Sequence, residues 1–148
     1  MHALTAEQYA RLRQLAEAWT HAHLRDAKAS PTFNPRLVAD ALCFQRHTDP
    51  ELGEQLVGAL VTPVSLWLVM VPAADSVEMP EVGSRHWLAL PSGEYPLETV
   101  ALGASAWCRR LVLLDDLSDL ASRPAASRLA QQLMERVMAD GSPGDGSA

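Results

Sequence analysis

Between Leu56 and Ala74 the chain reads LVGALVTPVSLWLVMVPAA, 19 residues without a charge. A segment of that length is long enough to cross a bilayer, which takes about 20 apolar residues. It is also long enough to supply the buried centre of a water-exposed domain. Three features favour the second reading. Pro63 interrupts the run near its middle, and a proline pushes the residue before it, Thr62, out of helical backbone. Val57, Val61, Thr62, Val64, Val69 and Val71 are β-branched, which suits strands. The flanks are acidic, Glu51 and Glu54 before and Asp75, Glu78 and Glu81 after, where a membrane span carries Lys or Arg on one side. The run is therefore expected to form two strands, about Gln55 to Thr62 and Val64 to Val71, covered on both faces.

The segments around it complete the element pattern. Thr5 and Gln8 have the spacing of a capping box, with Leu4 and Tyr9 at the staple positions. Leu12, Leu15, Ala16, Trp19, Ala22 and His23 then recur at helical steps, which predicts a helix from about Ala6 to Ala27, ending before Ser30-Pro31. A strand is expected near Leu37 to Arg46, with HTDPELGE as the turn after it. Asp75 to Gly83 reads as a polar loop. RHWLAL and EYPLETVAL flank Pro91-Ser92-Gly93 and read as a hairpin. ASAWCRRLVLL follows as a last strand, with Trp107, Arg109, Leu111 and Leu113 on one face. A final helix is expected from Ser122, its cap, to Ala139, with Ala126, Leu129, Leu133 and Val137 as its buried stripe. Helix, about six strands, helix is an α+β domain with a mainly antiparallel sheet and both helices packed on it. One domain is expected over residues 1–140, followed by a disordered tail, Gly141 to Ala148.

Composition narrows the function classes. The formal net charge of −6 argues against nucleic acid and against an anionic membrane surface as partners. Cys43 and Cys108 are the only cysteines and form no CxxC pair, which fits a reducing cytoplasm and no zinc ribbon. His21 and His23 are two apart on a helix and point apart, and Cys43 and His47 are separated by roughly 13 Å in a strand. No metal-ligand spacing, Walker loop, GxSxG, HExxH or dinucleotide fingerprint occurs. Four tryptophans, Trp19, Trp67, Trp87 and Trp107, stand against two phenylalanines. Tryptophan is enriched at binding surfaces. A Trp-lined apolar groove on an acidic domain suits a peptide that is basic at one end and apolar in the middle.

The succession VGALVTPVSLWLVMVPAAD, LALPSGEYPLETVALG and ASRLAQQLMERVM resembles the nickel–iron hydrogenase assembly chaperones of the HybE/HupJ type. The positions that carry the likeness are Gly58, Thr62, Pro63, Pro72, Leu90, Pro91, Gly93, Arg128 and Leu129, and the likeness runs from about Thr5 to Ala139. It implies a cytoplasmic, non-enzymatic chaperone without a cofactor. Such a chaperone holds the hydrogenase small-subunit precursor, which bears a twin-arginine export signal, until the large subunit has received its metal centre and docked; the large subunit is a further candidate partner. Some relatives carry a fused rubredoxin module with two CxxC pairs, which this sequence lacks, so no iron is expected. On this reading Thr62, Pro63, Leu90, Pro91 and Gly93 shape the rim of a groove lined by Trp67 and Trp87, with Glu94 and Glu98 facing the arginines of the signal. Two readings from other classes compete: a small-molecule or lipid-binding α+β domain with its pocket between helix and sheet, and a small enzyme using Cys43 or Cys108 with His86.

Overall fold

The structure, a computed structural model, describes residues 3–74, 77–103 and 106–139. Its elements run α1 (Ala6–Ala27), β1 (Asp40–Asp49), β2 (Gly53–Val61), β3 (Leu66–Pro72), β4 (Arg85–Leu90), β5 (Gly93–Leu102), β6 (Ala106–Leu114) and α2 (Arg123–Met138). The six strands form one antiparallel sheet in the order β1-β2-β3-β6-β5-β4. This is the expected α+β fold. The expected tail, Gly141 to Ala148, lies outside the described residues, as do parts of the loop after Ala74 and of the turn before Ala106.

The uncharged run became β2 and β3 because both lie in the interior of the sheet with a helix on each face. Every residue of β2 from Gln55 onward and every residue of β3 is buried. Alternation then divides the run between two cores. Leu56, Leu60, Trp67, Val69 and Val71 pack under α1 with Leu12, Leu15, Ala16 and Trp19. Val57, Ala59, Val61, Leu66, Leu68 and Met70 pack with Ala126, Ala130, Met134 and Val137 of α2.

The helices differ in direction. α1 lies along the strands. Its Arg11 donates 2.8 and 2.9 Å hydrogen bonds to the carbonyls of Ala73 and Pro72 at the end of β3. The capping box is formed: Gln8 N–H donates to Thr5 Oγ1, and Thr5 N–H donates to Gln8 Oε1, each at 3.0 Å. Tyr9, expected to staple the helix start, is instead 51% exposed, and Ala22 of the expected stripe is also exposed. α2 crosses the sheet. Its start is electrostatically coupled through Arg123 to Asp40 of β1, and its end accepts a 2.7 Å bond at Val137 O from Ser92 Oγ in the β4–β5 turn. Its most buried stripe is Ala126, Ala130, Met134 and Val137, with the expected Leu129 and Leu133 partly buried on its flank.

The first strand starts later than expected because Asn34 holds Leu37 to Ala39 in a connection. Asn34 is buried; its Nδ2 donates to Leu117 O and Leu120 O at 2.9 and 3.0 Å, and its N–H donates to Pro63 O at 2.9 Å. It joins three connections by hydrogen bonds. Within β1 a bulge falls between Leu42 and Gln45, with Cys43 at φ 62. The bulge drops Phe44 onto Gly58: a Cβ there would lie 2.4 Å from the Phe44 ring and 2.8 Å from its Cα.

The sheet also curls. Five inter-strand steps would set β1 and β4 about 24 Å apart if the sheet were flat, yet Asp49 Oδ2 of β1 lies 2.8 Å from His86 Nε2 of β4. The sheet therefore closes at this end around the α2-side core. Asp49 is 3% exposed and also accepts from the N–H groups of Glu51 and Leu52 at 2.8 and 3.0 Å. Burial alone would raise its carboxyl pKa; the bonds from His86, Glu51 and Leu52 outweigh that and hold it below the ordinary value of 3.8.

Two predictions follow from this packing. Gly58→Ala should lower stability by about 1–3 kcal/mol, the usual cost of overpacking, and Phe44→Ala in the same chain should recover part of it; denaturant titration reads both. Asp49→Asn should cost about 1.5–3 kcal/mol near neutral pH. The Asp49 carboxyl has a lowered folded-state pKa, so its contribution is complete above the ordinary value and disappears as pH falls through the folded one. The gap between wild type and variant should therefore narrow below about pH 4, and a gap unchanged down to acid would contradict the assignment.

Candidate partner-binding groove

α1 covers only part of its face of the sheet. The same face of β6, β5 and β4 extends beyond the helix, and a groove of about 700 Å³ opens between them. Its apolar lining includes Trp19 of α1, Trp67 of β3, Val100 and Leu102 of β5, Val112 of β6, and Val82. Val82 and Val112 are among the exposed large apolar side chains.

The strand register places further residues on this face. Trp87 pairs with Pro96, Ala89 with Glu94, Arg85 with Glu98, and Glu98 with Arg110. Directly paired residues share a face, and Arg110 borders the groove. Trp87, Glu94 and Glu98 therefore stand on the groove side of the sheet. Trp87 is 60% exposed, whereas Trp67 is 6% exposed, with the Arg110 guanidinium 4.6 Å above its ring centre. Glu98 lies between Arg85 and Arg110 in the register, which offsets part of its charge; Glu94 has no basic residue opposite it. Asp26 and Asp115 border the groove and His23 stacks, tilted, 5.9 Å from Trp19.

The other residues singled out in the sequence contact the chain itself. Thr62 is fully buried in the β2–β3 turn, where Oγ1 accepts from Val64 N–H and Ser65 N–H at 3.1 and 2.9 Å. Pro63 is buried, and its carbonyl accepts the Asn34 bond. Val64 and Ser65 of this turn do reach the groove. Leu90 lies in the α2-side core. Pro91 is exposed, and Gly93 has φ 147, a conformation L side chains rarely adopt. The structure thus brings Trp67, Trp87, Glu94 and Glu98 to one face and leaves Leu90 on the other.

A thiol–imidazole centre is not assembled. Cys108 is fully buried under α1, and burial pushes its thiol up to about 12. Cys43 is exposed, but burial of its thiol and then Glu135 raise its pKa, the opposite of activation. His86 shares its face with Leu97 of the α2-side core and has carboxylates as ring partners. That pairing, across 37 residues and the two sheet edges, carried no signal in local spacing.

No helix among the described residues is long and apolar enough to cross a membrane. A profile of the [NiFe]-hydrogenase assembly chaperone family HybE matches residues 10–145. The chain is 28% identical over 134 residues to the hydrogenase expression/formation protein HupT of Azotobacter chroococcum mcd 1, covering 88% of this chain and 85% of that protein. It is 30% identical over 125 residues to the hydrogenase expression/formation protein HoxT of Azotobacter vinelandii, covering 80% and 76%. The solution structure of HybE from Escherichia coli superposes with a TM-score of 0.63 at 20% identity, covering 83% of this chain and 76% of that one, and so shares its fold. With a family match across nearly its whole length, the chain belongs to the HybE family of [NiFe]-hydrogenase assembly chaperones.

Proposed function

We propose that this chain is a cytoplasmic, non-catalytic chaperone that holds the hydrogenase small-subunit precursor through its twin-arginine export signal until the large subunit is mature. The observation that carries this reading is the open apolar groove beside α1, with Trp87 exposed on the same face and carboxylates at its border. An export signal has a basic start and an apolar centre. The groove offers the apolar centre a surface of Trp19, Trp67 and Val112, and Glu94, Asp26 and Asp115 offer the arginines negative charge.

The chemistry asked of the site is recognition and release. Apolar anchors set most of the affinity, and rim charges act mainly on association rate and salt sensitivity. Trp87, exposed on the same face as the groove, is free to serve as an aromatic anchor without first leaving the core. Trp67 supports the site from below, because its ring is packed under α1 and capped by Arg110. Thr62, Pro63, Pro91 and Gly93 contribute by fixing the two turns at one end of the sheet.

Trp87→Ala should weaken binding of a synthetic signal peptide by about 2 kcal/mol, with the melting temperature unchanged. Trp67→Ala should lower both affinity and stability. Glu94→Gln with Glu98→Gln should flatten the salt dependence and leave high-salt affinity near wild type. Calorimetric titration at two salt concentrations, with a melting curve for each chain, measures all three. Wild-type binding by a folded Trp87→Ala chain would place the partner elsewhere.

A further inference from the structure

At the closed end of the sheet, on the face opposite the groove, His86 stands between two carboxylates of different character. Its Nε2 lies 2.8 Å from Asp49 Oδ2, and its Nδ1 lies 3.5 Å from Glu51 Oε1. The side chain of Asp49 is 2% exposed and that of Glu51 is 79% exposed, so the ring runs from the interior to the surface. Asp49 Oδ1 already accepts from the N–H groups of Glu51 and Leu52, which leaves Oδ2 as the acceptor facing the ring. It therefore fixes the proton on Nε2 and turns the Nδ1 lone pair outward, toward Glu51. A carboxylate behind a histidine that presents its other nitrogen is the arrangement that orients metal-bound imidazoles.

The second distance carries the same message. At 3.5 Å, Nδ1 and Glu51 Oε1 are too far apart for a charge-assisted hydrogen bond, which runs about 2.7–2.9 Å. Two donors on one tetrahedral ion, with bonds of about 2.0–2.1 Å, stand about 3.3–3.4 Å from each other. One ligand atom from each of Asp49, Glu51 and His86 falls within 4.8 Å of the others. The geometry points to a surface site for a divalent transition ion, ligated by His86 Nδ1 and Glu51, oriented by Asp49, and completed by water. An imidazole and a carboxylate select a borderline ion of the zinc class over magnesium or calcium. Arg109 is electrostatically coupled to Asp49, so the added positive charge belongs on the solvent side, at Glu51. This site is independent of the groove.

Cobalt(II) titration, read by visible absorption and competed with zinc(II), tests it on the whole chain. One ion per chain is expected. Glu51→Gln, at an exposed position that leaves folding intact, should weaken binding at least tenfold, and His86→Gln should abolish it. Glu54→Gln, a neighbouring exposed carboxylate that accepts from Thr48, should bind as wild type. Nitrogen-15 spectra of the histidine rings supply the second readout: zinc should shift His86 Nδ1 while Nε2 keeps its proton. No saturable binding at about 1 mM ion, an affinity of only about 4 kcal/mol, would overturn the proposal. So would wild-type affinity in Glu51→Gln, or a His86 ring doubly protonated with and without zinc, which would mark a plain ion pair with Glu51.

Discussion

The bond between Asp49 and His86 joins the two strands that the sheet order places farthest apart. Everything on the α2 side depends on that closure. A flat six-stranded sheet would offer α2 a surface too wide for one helix of 16 residues to cover. Curled, the sheet wraps its own inner face, so that Leu88, Leu90 and Leu97 from one edge region meet Val57, Ala59 and Met70 in a single core. α2 then fills the opposite, wider end. Arg109 and Asp49 are among the polar groups left inside the closed end, where the Asp49 charge favours the guanidinium that burial disfavours.

Closure on one side has a consequence on the other. The outer face of the curl is convex, and a straight helix laid along the strands touches only part of it. α1 covers β1, β2, β3 and the adjoining part of β5 and β6, and the rest of that face stays open. The groove is thus a product of sheet shape, and the exposed Trp87 and Val112 are surplus apolar surface of that face. Family membership and the groove are the grounds for the proposal that this acidic domain receives an apolar segment of a hydrogenase subunit precursor.

Much of the fold was legible because it rests on local signals. The capping box of α1, the Ser122 cap of α2 and the Thr62-Pro63 break are written in neighbouring residues. The uncharged run announced two interior strands because both of its faces had to be apolar. The helix stripes were less legible: α2 is rotated toward Ala130 and Met134 because the core it meets is curved. The bulge at Cys43 was hidden, since the space that Phe44 takes beside it is left by Gly58 in the next strand. So was the role of Asn34, whose bonds reach residues 83 and 86 positions away. For the groove, the tryptophan surplus named Trp67 and Trp87, but sequence could not say that one is packed and the other open. Residues such as Leu90, at the end of β4, drew attention through the family likeness, and their contacts proved to lie within the fold.

The most direct measurement of the central claim is hydrogen–deuterium exchange of the chain alone and in complex with the full hydrogenase small-subunit precursor. New protection is expected in β4, β5, β6 and the second half of α1, with α2 and the β1 edge unchanged. Protection centred on α2 or on β1, with the groove strands exchanging as in the free chain, would contradict it.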